Sequence, residues 1–115
     1  MKENIQKGER NGKGKEYNND GKLKFEGEYL NGQRIKGKEY YENGKISYEG
    51  EYSKGERSGK GKEYYNNGKL KYEGVFLNGK ILYGKGYNKR GKQTEIKKSK
   101  VFKKNIQISN NKIFK

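Results

Sequence analysis

A short string of residues recurs along the chain at intervals of 23 or 24 residues, and this repetition limits the folds available to it. Lys-Gly-Lys-Glu-Tyr occupies residues 13–17, 36–40 and 60–64, and a weaker copy, Tyr-Gly-Lys-Gly-Tyr, occupies residues 83–87. Repeats of this length indicate one supersecondary unit per period, and each unit contacts only its neighbours. The agreement extends over most of residues 5–92, so a linear array of small units is predicted.

Within each repeat the residue pattern is typical of β-strands. In residues 23–29 the odd positions are Leu, Phe, Gly and Tyr, and the even positions are Lys, Glu and Glu. Such alternation predicts strands with one apolar and one charged face. Asp-Gly and Asn-Gly between these stretches favour hairpins, because glycine accepts the positive φ of tight turns. The predicted fold class is therefore all-β, a meander of hairpins. Its strands are expected near residues 13–18, 22–30, 36–42, 45–53, 59–66, 69–77 and 82–88, with a weaker one near 92–98.

Composition excludes a thick aliphatic core. Leu, Ile, Val and Phe together number 19 of 115 residues, and the net charge is +15. These values would ordinarily indicate disorder. However, the chain has 11 tyrosines and no proline, which favours a thin sheet built on aromatic side chains. Aromatic cross-strand pairs contribute about 0.5–1.5 kcal/mol each beyond burial.

Several residue types and segments are missing from the sequence. There is no cysteine and no histidine, so disulfides, thiol nucleophiles and the commonest general base are excluded. No apolar run resembles a secretory signal or reaches the roughly 20 residues that span a bilayer. We therefore expect a protein that is not an enzyme, with no catalytic residue, metal, cofactor or small-molecule substrate. Its expected location is cytoplasmic, with the inner face of a membrane as a peripheral alternative.

Glycines recur inside the predicted strands, where glycine normally weakens a sheet. Gly27, Gly50 and Gly74 each lie between two aromatic positions of the apolar face. We expect an aromatic ring from the neighbouring strand to lie across each of them, as in aromatic rescue of glycine. The covering rings are predicted to be Tyr17, Tyr40, Tyr64 and Tyr87. The flanking aromatic residues are Phe25, Tyr29, Tyr48, Tyr52, Tyr72 and Phe76.

The hairpin register depends on the length of the loop at Asn67-Gly68. A two-residue loop sets Tyr65 opposite Leu70, and a three-residue loop sets Tyr64 there. We favour the three-residue loop, because Tyr64 has a counterpart in every repeat whereas Tyr65 has one only in Tyr41.

Charged motifs are interpreted as parts of the sheet. The pairs Glu26/Glu28 and Glu49/Glu51 fall on the polar face, where lysines of adjacent strands favour a cross-strand charge ladder over an acid/base pair. Those lysines are Lys15, Lys38 and Lys62. The Gly-Lys-Gly-Lys strings lack the spacing of a phosphate-binding loop and lead into strands.

Residues 96–115 differ from the array of residues 1–95, since they hold seven lysines and no acid. Phe102, Ile106 and Ile113 share one face of a helix, which would give a basic amphipathic segment able to lie on anionic lipid. Alternatively, Phe102, Ile106 and Ile108 alternate as a last strand that caps the sheet edge, or the segment is a flexible tail. The candidate contacts for an anionic partner are Lys97, Lys98, Lys100, Lys103 and Lys104.

Two stretches resemble the MORN repeat (membrane occupation and recognition nexus), whose pattern is Tyr-x-Gly-x-Trp-x-x-Gly-x-x-x-Gly-x-Gly. They are residues 72–80 with Gly84 and Gly86, and residues 48–56 with Gly59 and Gly61. The chain departs from the pattern in having Tyr29, Tyr52 and Phe76 where tryptophan is usual. Copies with a Tyr-Tyr doublet are more similar to bacterial MORN variants, some of which are labelled antitoxin components.

The resemblance implies a single-layer antiparallel sheet that is elongated and twisted, with roles in scaffolding, dimerisation and contact with membrane phospholipid. It supplies no catalytic residues, because the repeat has none. The leading hypothesis is a non-enzymatic module for protein binding or self-association. The alternatives are peripheral binding to anionic phospholipid through the lysines, and nonspecific nucleic-acid binding, which rings already stacked on glycine disfavour.

Overall fold

The computed structural model of the protein describes residues 5–6 and 9–98, which form ten strands and no helix. The strands are β1 (Ile5–Gln6), β2 (Glu9–Arg10), β3 (Gly12–Tyr17), β4 (Leu23–Leu30), β5 (Gln33–Tyr40), β6 (Ile46–Ser53), β7 (Glu56–Tyr64), β8 (Leu70–Leu77), β9 (Lys80–Tyr87) and β10 (Gln93–Lys98). β3 to β10 form one antiparallel sheet in chain order, and β1 pairs with β2. The smallest dimension is 16 Å, so the predicted single-layer meander is confirmed.

Two kinds of turn alternate along the sheet. The first is a two-residue loop in which both residues have positive φ, 50° at Asn31 and 80° at Gly32. The same loop recurs at residues 54–55 and 78–79. This is the type I′ geometry, whose twist matches that of the flanking strands. Because the loop is so short, β5, β7 and β9 begin two or three residues earlier than predicted.

The second kind of turn is a three-residue loop, and it settles the register. At residues 66–68 the Tyr65 N–H donates to the Lys69 carbonyl at 2.8 Å, and the Gly68 N–H donates to the Tyr65 carbonyl at 3.0 Å. A bulge after Glu63 then places Tyr64 opposite Leu70. The favoured register is therefore confirmed.

The two Tyr-Tyr doublets fasten the three-residue turns that follow them to the next hairpin. The Tyr41 hydroxyl donates to the backbone carbonyl of Tyr64, and the Tyr65 hydroxyl donates to that of Tyr87 at 2.7 Å. Tyr41 and Tyr65 thus have a structural role of their own.

One face of the sheet, here called the aromatic face, holds the core. Its buried residues are Phe25, Tyr29, Tyr48, Tyr52 and Phe76. Their rings meet edge to face with centroids 5.1–5.6 Å apart, in a continuous row from Tyr29 to Phe76. Edge-to-face contact is a preferred arrangement of aromatic rings. The aromatic row therefore replaces an aliphatic core.

Glycines lie directly opposite one another across seven strands and form a continuous row. The row consists of Gly14, Gly27, Gly37, Gly50, Gly61, Gly74 and Gly84. A Cβ on Gly37 would lie 2.6 Å from the Cζ of Phe25, and one on Gly61 would lie 2.7 Å from the Cζ of Tyr48. Only glycine leaves room for these rings.

The prediction of which rings cover the glycines was wrong. The covering rings are Phe25 and Tyr48, which precede the glycines of their own strands by two residues and lean over them. The physical reason is alternation along the strand: Tyr17, Tyr40, Tyr64 and Tyr87 each lie two residues after a lysine of the opposite face. The Tyr40 hydroxyl accordingly donates to Glu26 Oε1 at 2.5 Å, and the Tyr64 hydroxyl donates to Glu49 Oε1 at 3.3 Å.

The opposite face, here called the charged face, carries the predicted ladder of lysine and glutamate. Directly opposed positions run Lys15, Glu26, Lys38, Glu49, Lys62, Glu73 and Lys85 across β3 to β9. Opposite charges facing each other across strands stabilise a sheet modestly. The paired carboxylates therefore belong to this ladder.

The proposed division of the chain at residues 95 and 96 falls within β10. The basic segment beyond Lys98 lies outside the described residues. The helix, strand and flexible-tail alternatives, and the candidate contacts Lys100, Lys103 and Lys104, therefore stay predictions. That division stays a prediction. Nowhere in the described part of the chain is there a helix with the length and hydropathy needed to span a bilayer.

Candidate binding surface

The aromatic face also carries charged side chains in fixed positions. Glu16 on β3 is paired with Phe25 on β4, and Tyr29 on β4 is paired with Arg34 on β5. Paired residues point to the same face of a sheet. The ring of Phe25 is thus flanked by a carboxylate and a guanidinium from the strands on either side of it.

These residues form a compact hydrogen-bonded group. Arg34 donates to Glu16 through Nε and Nη2, both at 2.8 Å, and the Tyr29 hydroxyl donates to Glu16 Oε2 at 2.6 Å. The guanidinium lies 4.2 Å from the centroid of the Phe25 ring. We call this arrangement a Tyr–Glu–Arg cluster. It combines a bidentate ion pair with cation–π stacking, a role suited to arginine and not to lysine.

A second Tyr–Glu–Arg cluster follows one repeat later. Arg57 donates to Glu39 through Nε at 3.0 Å and Nη2 at 3.2 Å, and the Tyr52 hydroxyl donates to Glu39 Oε2 at 2.7 Å. The guanidinium lies 4.5 Å from the centroid of the Tyr48 ring. Each cluster joins two strands across the strand between them.

The clusters shift the ionisation of their members. The hydrogen bond from Arg34 lowers the pKa of Glu16 to about 2. Burial would raise the pKa of Glu39, but the hydrogen bonds from Arg57 and Tyr52 outweigh it and lower that pKa. Burial and the adjacent Glu16 carboxylate raise the pKa of Tyr29 to about 12. Near neutral pH the clusters therefore hold charged Glu and Arg with neutral Tyr.

Comparison with protein families agrees with this repeating geometry. The MORN repeat matches residues 48–69, and the MORN repeat variant matches residues 10–31 and 35–54. Residues 10–31 and 35–69 of the chain thus carry MORN repeats. No curated protein matches it. MORN repeats are generally non-enzymatic binding modules and are associated with protein and membrane interactions.

The first, second and third repeats of the MORN array begin at the strings of residues 13–17, 36–40 and 60–64, and the third lacks a complete cluster. Glu63 corresponds to Glu16 and Glu39, but Phe76 and Ile81 stand where the earlier repeats have tyrosine and arginine. Among the described residues, Glu63 has ion pairs with the Nη1 of Arg57 at 3.8 Å and the Nζ of Lys71 at 3.7 Å. A cavity of about 680 Å³ lies beside it, lined in part by Tyr72, Ile81, Leu82 and Lys97.

At the C-terminal end of the MORN array, apolar side chains interrupt the charged face. Val75 is opposite Tyr83, and Ile96 is opposite Lys85. Tyr83 and Ile96 are 41% and 62% exposed. We call Val75, Tyr83 and Ile96 the C-terminal patch. It extends onto β10, whose six residues are all exposed.

The predicted site residues are thus divided between the two faces and the last strand. Phe25, Tyr48 and the other flanking aromatic residues lie on the aromatic face, while Tyr40 and Tyr64 lie on the charged face. Lys97 and Lys98 lie in β10. Among the described residues, no three acidic side chains come together as a metal site would require.

The sequence analysis missed the Tyr–Glu–Arg clusters. A signal for them was present, since Arg10, Arg34 and Arg57 recur at intervals of 24 and 23 residues. Alternation also sets Glu16 apart from Lys15 and Tyr17, on the same face as the aromatic row. The cluster can be recognised only once the register between the strands is known, because its members come from three different strands.

Proposed function

We propose that the protein is a non-enzymatic binding module that associates with a second copy of itself or another protein through the C-terminal patch and the edge of β10. The observation that carries the proposal is the exposure of Ile96 and Tyr83 at the end of the sheet where the Lys–Glu ladder breaks. Exposed apolar side chains beside an open strand edge favour association.

The open edge of β10 and the distribution of charge along the sheet support this proposal. The sheet is a single layer, and nothing among the described residues pairs with the outer edge of β10. The first two repeats are different, because lysine and glutamate alternate on their charged face. Charged side chains at such positions oppose edge and face association. The C-terminal end therefore combines an open strand edge with exposed apolar side chains, which suits it to a protein partner.

Sedimentation velocity of the full chain over a wide concentration range tests the proposal. We expect concentration-dependent association that Ile96→Lys weakens. The matched control is Leu30→Lys, which adds the same charge at another exposed apolar position, 55% exposed and far along the sheet. It should behave like the unsubstituted chain. A monomer at every concentration, or equal effects of both substitutions, would contradict self-association through this patch.

A second candidate function is peripheral attachment to anionic phospholipid. Its support is the run of seven lysines without an acid in residues 96–115, two of which lie in exposed β10. Each lysine close to an anionic surface contributes about 1 kcal/mol, so several suffice for reversible, salt-sensitive binding. The expected location under this proposal is the cytoplasmic face of a membrane.

Vesicle co-sedimentation at low and high salt distinguishes this candidate. Replacing Lys100, Lys103 and Lys104 with glutamine should reduce binding to phosphatidylserine vesicles. The control replaces Lys22, Lys24 and Lys89, which are exposed on the array, and removes the same charge. Equal loss with both variants would indicate nonspecific attraction by net charge, and no binding to either anionic or neutral vesicles would contradict lipid attachment.

A further inference from the structure

In the third repeat a cavity is lined by Glu63 and Tyr72. The residues at the equivalent positions in the first two repeats contact an arginine side chain. Glu63 corresponds to Glu16 and Glu39, and Tyr72 corresponds to Phe25 and Tyr48. Ile81 takes the place of Arg34 and Arg57. The carboxylate and the ring are thus retained in the third repeat, while the guanidinium that they would hold is missing.

Glu63 is as sheltered as its counterparts. Its side chain is 23% exposed, against 23% for Glu16 and 24% for Glu39. Nevertheless, its nearest cationic atoms, at 3.7 and 3.8 Å, lie beyond hydrogen-bonding distance. Among the described residues Glu63 thus has two ion pairs but no hydrogen bond from a cation, and a guanidinium could add the bidentate pair that these contacts lack.

We propose that this cavity, here called the Glu63 pocket, binds an arginine side chain of a protein partner. The guanidinium would form a bidentate ion pair with Glu63 and stack on the ring of Tyr72, as Arg34 and Arg57 do in their clusters. Ile81 and Leu82 line the pocket and suit the methylene stem of arginine. The proposal deepens the proposed function, on which it rests, by naming the chemistry of the partner.

Any cationic ligand of the pocket has to compete with cations that are already there. Lys71 approaches Glu63, and Lys80 and Lys97 line the cavity. A lysine side chain from a partner would therefore compete with Lys71 for the Glu63 carboxylate, because both offer the same single ammonium contact. Arginine adds two parallel hydrogen bonds and stacking on the ring, which lysine cannot reproduce. The pocket should prefer arginine to lysine.

An NMR titration of the full chain with N-acetyl-arginine amide tests the proposal, with the Glu side-chain carboxyl carbons observed. We expect a saturable shift of the Glu63 signal, with binding at least about threefold tighter than for N-acetyl-lysine amide. Glu63→Gln should abolish binding. The matched control is Glu73→Gln, which removes the same charge on the charged face, where Glu73 faces Lys62 and Lys85. Equal affinity for the two amides, or equal loss with both variants, would overturn the proposal.

Ile81→Arg provides a second variant that does not depend on deleting the carboxylate. It should complete the third Tyr–Glu–Arg arrangement except for the hydroxyl that Phe76 lacks. The added arginine should occupy the pocket, abolish binding of the arginine amide and raise the unfolding temperature by about 4 °C or more. Undiminished arginine binding would contradict the proposed site.

Failure of this proposal can be told apart from failure of the proposed function. Should arginine amide not bind while the chain still associates in an Ile96-dependent manner, only the Glu63 pocket is wrong. If Ile96→Lys has no effect while the arginine amide binds, the C-terminal patch is wrong and the pocket stands.

Discussion

At the scale of single residues, Lys54 adopts a backbone conformation that other residue types adopt more readily than lysine. Its φ is 52°, in the left-handed region, and it is the first residue of a type I′ turn. The equivalent positions are Asn31 and Asn78, with φ of 50° and 51°. Asparagine tolerates this region better than most residues because its short side chain can hydrogen-bond locally. Lysine at residue 54 therefore costs stability.

Lys54→Asn is expected to raise the free energy of unfolding by about 0.5–1 kcal/mol. Urea denaturation monitored by tyrosine fluorescence measures the change. Lys89→Asn is the control, because it removes the same charge from an exposed turn where φ is not positive. An equal increase in the free energy of unfolding in both variants would show that the effect comes from net charge and not from the backbone conformation.

The glycine row makes a second prediction at this scale. A Cβ on Gly37 would meet the Phe25 ring and also backbone atoms of β4. Gly37→Ala should therefore lower the free energy of unfolding by about 1–3 kcal/mol. At Gly86 the nearest atoms are Cγ of Glu95 at 2.8 Å and Cε1 of Tyr72 at 3.0 Å, which belong to side chains that can move, so Gly86→Ala should cost less. The same urea titration compares the two, and equal losses would contradict the tighter packing at Gly37.

At the scale of strands and hairpins, the Tyr–Glu–Arg clusters join elements that do not pair directly. Glu16 on β3 reaches Arg34 on β5 over the Phe25 ring of β4, and Glu39 on β5 reaches Arg57 on β7 over Tyr48 of β6. A hydrogen bond to a charged group contributes about 1.5–3 kcal/mol. Each cluster thus couples neighbouring repeats, on which the stability of a linear array depends.

The Glu16 cluster predicts a loss of stability in acid. The hydrogen bond from Arg34 lowers the folded-state pKa of Glu16 to about 2, below the roughly 4.3 of an unfolded glutamate. Its contribution is therefore complete above pH 4.3 and is lost as the pH falls through 2. Glu16→Gln should lower the free energy of unfolding at pH 7 by about 1–3 kcal/mol.

Urea denaturation at pH 7 and near pH 2 checks this prediction. The difference in free energy of unfolding between the Glu16→Gln variant and the unsubstituted chain should be smaller at the lower pH. Glu28→Gln serves as the control, since Glu28 faces Lys13 and Lys36 on the charged face, and it should cost less at pH 7. A penalty for Glu16→Gln that does not depend on pH would refute the coupling to its ionised form.

The strands, the turns and the register could be predicted at this scale, because period-2 alternation and the Asn-Gly signals are local. The covering rings were misassigned because Tyr40 lies an odd number of residues from Gly37, and alternation sends its side chain to the charged face. The clusters could not be predicted from single strands. Glu16, Tyr29 and Arg34 look like ordinary surface residues until strand pairing brings them together.

At the scale of the whole molecule, the two ends of the array differ. The first two repeats have complete clusters, whereas the third has Phe76 and Ile81 on the aromatic face and Val75 and Tyr83 on the charged face. These departures are accompanied by an open cavity beside Glu63 and an exposed patch around Ile96. The end of the array that departs from the repeat is therefore the end to which both proposals assign binding.

Hydrogen exchange of the full chain at low and high concentration tests the binding role of this end most directly. The amides of β10 and of the strand beside it, β9, should become more protected as the concentration rises, while those of β4 and β5 stay unchanged. Ile96→Lys should remove the difference. Equal protection of β10 at every concentration, or a uniform increase along the sheet, would contradict association through the C-terminal patch.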